Sequence, residues 1–227
     1  RIPVIAGTGS NNTAEALFFT ESAREHGADA ALLVTPYYNK PSQEGLYRHF
    51  KAIAEAVDIP QILYNVPDRT ACDLTMETVS RLAELENIVA VKDATGDLSR
   101  GLQLIRECGD RLLVYSGEDA LSLPLILGGA AGTISVTANV APAQMSAMCA
   151  LALSGDAAAA QVVDDRLACL HANLFLEANP VPVKWALQKM GMIEVGIRLP
   201  MVELEARYHI QVNDALQQAG ISLSVAA

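Results

Sequence analysis

Lys92 is the residue around which a chemical reading of this chain forms. It closes the run I-V-A-V-K (88–92), a β-branched stretch with the signature of a buried strand. D-A-T-G (93–96) then supplies turn residues that release the chain toward a helix. Side chains alternate along a strand, so the amine is expected on one face with Ala90 and Ile88. An ammonium at the tip of an apolar strand loses hydration, which lowers its pKa and makes the neutral amine accessible near pH 7. That form is the nucleophile of Schiff-base chemistry with a carbonyl substrate. Tyr64 ends the preceding strand, Q-I-L-Y (61–64), on the same face as Ile62. Neighbouring parallel strands lie about 4.8 Å apart, so a phenol and an amine at equal heights can meet. The phenol could then relay protons for imine formation and hydrolysis. Arg69 follows in N-V-P-D-R-T (65–70), read as a loop that carries a guanidinium to the mouth of the site, where it can grip a carboxylate. T-P-Y-Y-N-K-P (35–41) ends another strand with two tyrosines between prolines, a pattern that suggests a site or an interface. Each residue also has an ordinary reading: a snorkelling strand-end lysine, a core aromatic, a solvated surface arginine.

The elements that must position these groups follow from periodicity. Six short apolar runs begin near Val4, Ala31, Gln61, Val89, Leu112 and Gly132, each followed by turn residues and a helical pattern. Helices are expected over 13–26, 42–57, 75–85, 97–108 and 119–127, with Asn12 or Thr13 as the first N-cap and Gly27 as the stop. Strands alternating with helices indicate parallel βαβ units and suit a (β/α)8 TIM barrel better than a doubly wound sheet, because the polar residues end several different strands. The G-G-A-A-G run (128–132) lies between a helix and a strand, the wrong order for a nucleotide fingerprint, and reads as a tight turn. Beyond Pro142 the pattern is helical without strands, over 143–153, 157–175, 183–190 and 200–219. Residues 1–155 are therefore expected to form a partial β/α barrel of six units, and 156–227 a C-terminal helical appendage. A closed barrel has eight units and about 250 residues. The chain opens on R-I-P-V-I-A-G without an initiator Met, so the first two units are expected to be absent and the chain alone to be inactive or loosened.

Composition excludes several classes. Hydrophobic residues make up 51% of the 227, which is incompatible with a disordered or fibrous chain. A formal net charge of -10 argues against a nucleic-acid partner. No apolar run is long enough to span a membrane. The four cysteines form no C-x-x-C pair, which fits reduced thiols and a cytoplasmic protein, and the four histidines show no metal-ligand spacing, so no metal is expected.

Three of these stretches, V-A-V-K-D-A-T-G (89–96), Y-N-V-P-D-R-T (64–70) and T-P-Y-Y-N-K-P-S-Q-E-G (35–45), together resemble the dihydrodipicolinate synthase family, also called 4-hydroxy-tetrahydrodipicolinate synthase. The similarity continues through G-T-I-S-V-T-A-N-V (132–140) and N-P-V-P-V-K-W-A (179–186). The resemblance implies a class I aldolase-type barrel, a homotetramer built from tight dimers, that condenses pyruvate with L-aspartate 4-semialdehyde in the diaminopimelate route to lysine. It uses no cofactor beyond the covalent imine. By position, the resemblance makes Lys92 the Schiff-base lysine, Tyr64 the catalytic tyrosine and Tyr38 the tyrosine that crosses the dimer interface. It makes Arg69 the holder of the semialdehyde carboxylate, and Gly117 and Ile134 pocket positions around the pyruvyl group. Asn11, Glu15 and Tyr37 match part of a lysine-feedback site. The family's G-T-T-G-E motif is not found in the sequence, and Asp93 stands where glutamate is commoner. N-acetylneuraminate lyase and the keto-deoxy-sugar aldolases share the lysine and tyrosine but usually lack an arginine equivalent to Arg69; a non-catalytic fragment is the remaining alternative.

Overall fold

Alternating strands and amphipathic helices force parallel pairing, since each helix returns the chain to the same end of the sheet. The computed structural model describes residues 1–221. Its six strands form one parallel sheet in chain order: β1 (Ile5–Gly7), β2 (Ala30–Val34), β3 (Gln61–Asn65), β4 (Ile88–Asp93), β5 (Leu113–Ser116) and β6 (Gly132–Thr133). An order without reversal is that of a barrel wall and excludes the doubly wound alternative.

The strands belong to a compact unit made of Arg1–Glu118 and Gly128–Ile134. Its helices are α1 (Thr13–Glu25), α2 (Gln43–Ala56), α3 (Pro67–Thr70), α4 (Met76–Leu82) and α5 (Leu98–Cys108). The caps are those the composition suggests. Asn12, Ser42 and Asp97 each accept a hydrogen bond from a first-turn N–H, of Ala14, Gly45 and Arg100 respectively. The core lies between sheet and helices: Leu33, Leu63, Val91 and Val114 pack with Leu46, Phe50, Ile53, Val79, Leu82 and Leu104. Complete burial of a side chain such as Phe50 stabilises by about 1.5–3 kcal/mol.

Two local expectations are corrected here. Residues 67–70 are a single helical turn rather than a loop, because Pro67 fixes φ at the first helical position. Ile88 does not share the face of Lys92. Gln61 pairs with Ile88 while Ile62 pairs with Ala90, so Val89 is an extra residue that shifts the phase of the strand. Ile88 therefore packs with Val91 in the helix-side core, and Ala90 alone accompanies Lys92.

The second compact unit comprises, among the described residues, Asp119–Leu127 and 135–221. It contains a 3-10 turn at Asp119–Leu121 followed by α6 (Ser122–Leu127), then α7 (Pro142–Leu153), α8 (Ala157–Asn173), α9 (Val181–Lys189) and α10 (His209–Gln218). The expected helix over 119–127 is thus divided, its first turn tightened where the Asp119 carboxylate accepts the Val136 and Thr137 N–H groups. The expected helix over 200–219 shrinks to a 3-10 turn, Ala206–Tyr208, and α10. Glu205 is extended, so no helix can run through it. α8 packs against both α7 and α10, and Leu167 and Leu170 of α8, Met148 of α7 and Val212 of α10 are fully buried. No described helix is long and apolar enough to cross a membrane.

His49 of α2 is 6% exposed, its Nδ1 2.9 Å from the Thr13 hydroxyl. Burial lowers its pKa from 6.5 to about 4. Below pH 6.5 the unfolded chain then binds a proton that the folded chain does not, so stability falls as pH drops toward 4, by up to about 3 kcal/mol. The melting temperature should accordingly fall further between pH 7 and pH 4.5 in the parent than in His49→Gln. An equal fall in both would show that the ring titrates normally.

Candidate active site

β3 and β4 carry the two side chains expected to react, Tyr64 and Lys92. Leu63 and Val91 are partners in the ladder and face the helices, so alternation turns their successors, Tyr64 and Lys92, to the opposite face. Tyr64 and Lys92 are themselves partners in the ladder. Both are half-buried, and Lys92 Nζ lies 4.1 Å from the centroid of the Tyr64 ring. The expected meeting of amine and phenol therefore occurs, and the ring face is part of it.

The surrounding charges define what the phenol can do. Burial raises the Tyr64 pKa above its ordinary value; the Arg69 guanidinium opposes this and the Glu118 carboxylate reinforces it. A phenol held protonated at neutral pH is a proton donor first. Arg69, on α3, is exposed while remaining within electrostatic reach of that hydroxyl. Gly117 follows β5, and a Cβ there would lie 2.6 Å from Ala94 Cβ and 2.9 Å from Lys92 Cε. Only glycine leaves the lysine stem in place. The Ile134 N–H donates to the Ser116 carbonyl at 2.9 Å, which holds Ile134 beside the residue preceding Gly117.

Tyr38 stands apart. Its backbone is left-handed, with φ of 74°, and its N–H donates to the Thr70 carbonyl at 3.2 Å. Its side chain is 88% exposed in the single chain. Of the remaining singled-out residues, Asn11 donates from Nδ2 to the Tyr37 carbonyl at 3.2 Å, and Glu15 accepts from the Ser10 hydroxyl at 2.8 Å. Among the described residues no group of three or more His, Cys, Asp or Glu could hold a metal ion.

Sequence reasoning missed Tyr115 and Glu118. Tyr115 is the ladder partner of Lys92 on β5, which sets the amine between two tyrosine-bearing strands. Alternation in L-V-Y-S (113–116) carries that signal. Glu118 lay one residue beyond Gly117 at the same strand end, and its effect on the phenol could not be read without coordinates.

Residues 1–219 match the Dihydrodipicolinate synthetase family. The chain belongs to this family. It is 61% identical over 224 residues to the 4-hydroxy-tetrahydrodipicolinate synthase of Thioalkalivibrio sulfidiphilus, covering 99% of this chain and 76% of that protein. Against the synthase of Pseudomonas aeruginosa it is 59% identical over 221 residues, with 97% and 76% covered. The crystal structure of the chloride-inhibited dihydrodipicolinate synthase from Acinetobacter baumannii, complexed with pyruvate, superposes with a TM-score of 0.96 at 56% identity. That match covers 98% of this chain and 76% of the Acinetobacter chain.

The tight contact at Gly117 is directly testable. Gly117→Ala should displace the Lys92 stem and lower imine capture at Lys92 from a small aldehyde under borohydride by about tenfold or more. Peptide mass spectrometry reads the label, and circular dichroism should be unchanged. Capture at the parent rate would mean that the lysine has room to spare.

Proposed function

We propose that the chain works through a covalent imine in which Lys92 is the nucleophile and Tyr64 moves the protons. The reaction is that of the 4-hydroxy-tetrahydrodipicolinate synthases: condensation of pyruvate with L-aspartate 4-semialdehyde on the way to diaminopimelate and lysine. The observation that carries the reading is the Lys92 amine 4.1 Å from the Tyr64 ring centroid, at the C-terminal ends of parallel strands, where barrels of this kind place their chemistry.

The neutral amine adds to C2 of pyruvate, and the former carbonyl oxygen takes up two protons and leaves as water, giving the imine. Tyr64 supplies and recovers protons in this step. The protonated imine withdraws electrons from C3, so a C3 proton is lost and an enamine forms. Its C3 makes the new carbon–carbon bond to the aldehyde carbon of the semialdehyde, whose oxygen takes a proton. The amino group of the semialdehyde portion then adds to the iminium carbon C2, one of its protons passes to the Lys92 nitrogen, and the C2–N bond to Lys92 breaks to return the free amine. No separate cofactor is needed, because the imine itself is the electron sink.

Other residues take the roles that their places support. Arg69, exposed beside the phenol, binds the semialdehyde carboxylate through paired charge-assisted hydrogen bonds. Gly117 and Ile134 shape the pyruvyl pocket. Tyr38, with its ring outside the single chain, completes a neighbour's proton relay in a tight dimer, two of which make the homotetramer. Asn11, Glu15 and Tyr37 contribute to a lysine-feedback site at the same interface. The finer fold reading is an eight-unit class I aldolase barrel with a C-terminal helical appendage, within a cytoplasmic enzyme. It is supported by the chain-order sheet and by Ile5 and Leu113 on the face away from the helices, 47% and 50% exposed, as lining that further units would cover.

Borohydride reduction in the presence of pyruvate tests the central assignment. The peptide containing Lys92 should gain the mass of a reduced pyruvyl adduct. Label confined to other lysines, in a preparation that condenses the two substrates, would remove Lys92 from the mechanism.

A further inference from the structure

We infer that Arg100 is a positioning residue for the Lys92–Tyr64 pair, acting from the opposite side of the sheet through a charged clamp. This rests on the imine-forming role of Lys92 given above. Alternation sends the residues that follow the reactive pair, Asn65 and Asp93, toward the helices. They are ladder partners, 1% and 6% exposed, and buried polar groups of this kind are stable only when satisfied. Their partners form one network. Asn65 donates from Nδ2 to Asp73 Oδ1 at 2.8 Å and accepts the Leu74 N–H at 3.0 Å. Asp93 Oδ1 accepts from the Thr95 N–H at 2.9 Å and from its hydroxyl at 2.7 Å.

Arg100 reaches back from α5 and joins the two halves. Nη1 donates to Asp73 Oδ2 at 2.9 Å, Nη2 donates to the Leu74 carbonyl at 2.6 Å, and Nε lies 3.5 Å from Asp93 Oδ2. The last distance is an ion pair too long for a good N–H···O bond, and Nε is buried without a hydrogen bond. The side chain is 20% exposed, so its attraction to the two carboxylates is only partly screened. A planar fork can address Asp73, Leu74 and Asp93 together, which a single ammonium cannot. Backbone bonds complete the frame: the Ala94 N–H donates to the Asn65 carbonyl and the Gly117 N–H to the Asp93 carbonyl, at 2.9 and 2.7 Å. The clamp thus fixes the ends of β3 and β4 relative to each other, one residue from the atoms that react. Arg100 itself lies on the side of the sheet away from them.

The test measures the rate of pyruvate capture at Lys92 under cyanoborohydride against pyruvate concentration, together with the final label per chain. Arg100→Met should lower the maximal rate per labelled site about tenfold, as small misplacements of reacting groups do, with half-saturating pyruvate changed less than twofold. Arg100→Lys should recover part of the rate. Asp73→Asn, at a half-exposed position that tolerates change, should shift the rate the same way by less. An irreversibly unfolded fraction lowers the final label and leaves the rate per labelled site untouched, and circular dichroism under the assay conditions, expected to match the parent, excludes a reversibly unfolded one. Parent-like rates per labelled site in all three variants would overturn the inference. An unlabelled Lys92 in the parent would instead overturn the imine reading, and this inference with it.

Discussion

The parallel register between β3 and β4 is the constraint on which the site depends. Each strand carries one group of the proposed pair at its C-terminal end, Tyr64 on β3 and Lys92 on β4, and the proposed chemistry needs both. The ladder pairs Leu63 with Val91 and Tyr64 with Lys92, so burying the first pair under the helices turns the second pair outward from them. A slip of one residue would exchange the two faces and send the amine into the helical layer. The extra residue at Val89 shows how local this control is. The phase is reset within the strand itself, two residues before it is needed at Val91.

Hydrophobic packing fixes which face is which, and polar chemistry then adjusts each face separately. Beneath the helices, Asn65 is hydrogen-bonded to Asp73 and Asp93 to Thr95, with Arg100 ion-paired to Asp93. On the other face, burial raises the Tyr64 pKa while Arg69 pulls in the opposite direction. Gly117 contributes by having no side chain, since a Cβ would enter the volume of the lysine stem. The Lys92 amine, the Tyr64 phenol and the Arg69 guanidinium are therefore brought together by elements that end at one edge of one sheet. Aldol-type chemistry needs that grouping.

Much of this was legible in the residues. Strand starts, the helix cap at Asn12, the helix starts near Ser42 and Asp97, and the pairing of Tyr64 with Lys92 follow from residue type, periodicity and alternation, which are local rules. Three features were not. The bulge at Val89 comes from register with Gln61, a property of two strands at once. The helical turn at 67–70 is too short for periodicity to reveal, although Pro67 hinted at it. The shortened C-terminal helix reflects extended backbone at Glu205 within an otherwise helix-compatible composition. Within the site, Glu118 and Arg100 escaped notice because their effects act across elements distant in sequence. Arg100 lies 27 positions from Asp73 and on a different element from Asn65.

A crystal structure of the protein soaked with pyruvate tests the central claim most directly. The account predicts continuous density from Lys92 Nζ to C2 of the pyruvyl group, on the sheet face away from the helices, with the Tyr64 hydroxyl within hydrogen-bonding reach of the adduct. Pyruvate bound without a covalent bond to Lys92, or an adduct on any other lysine, would contradict it.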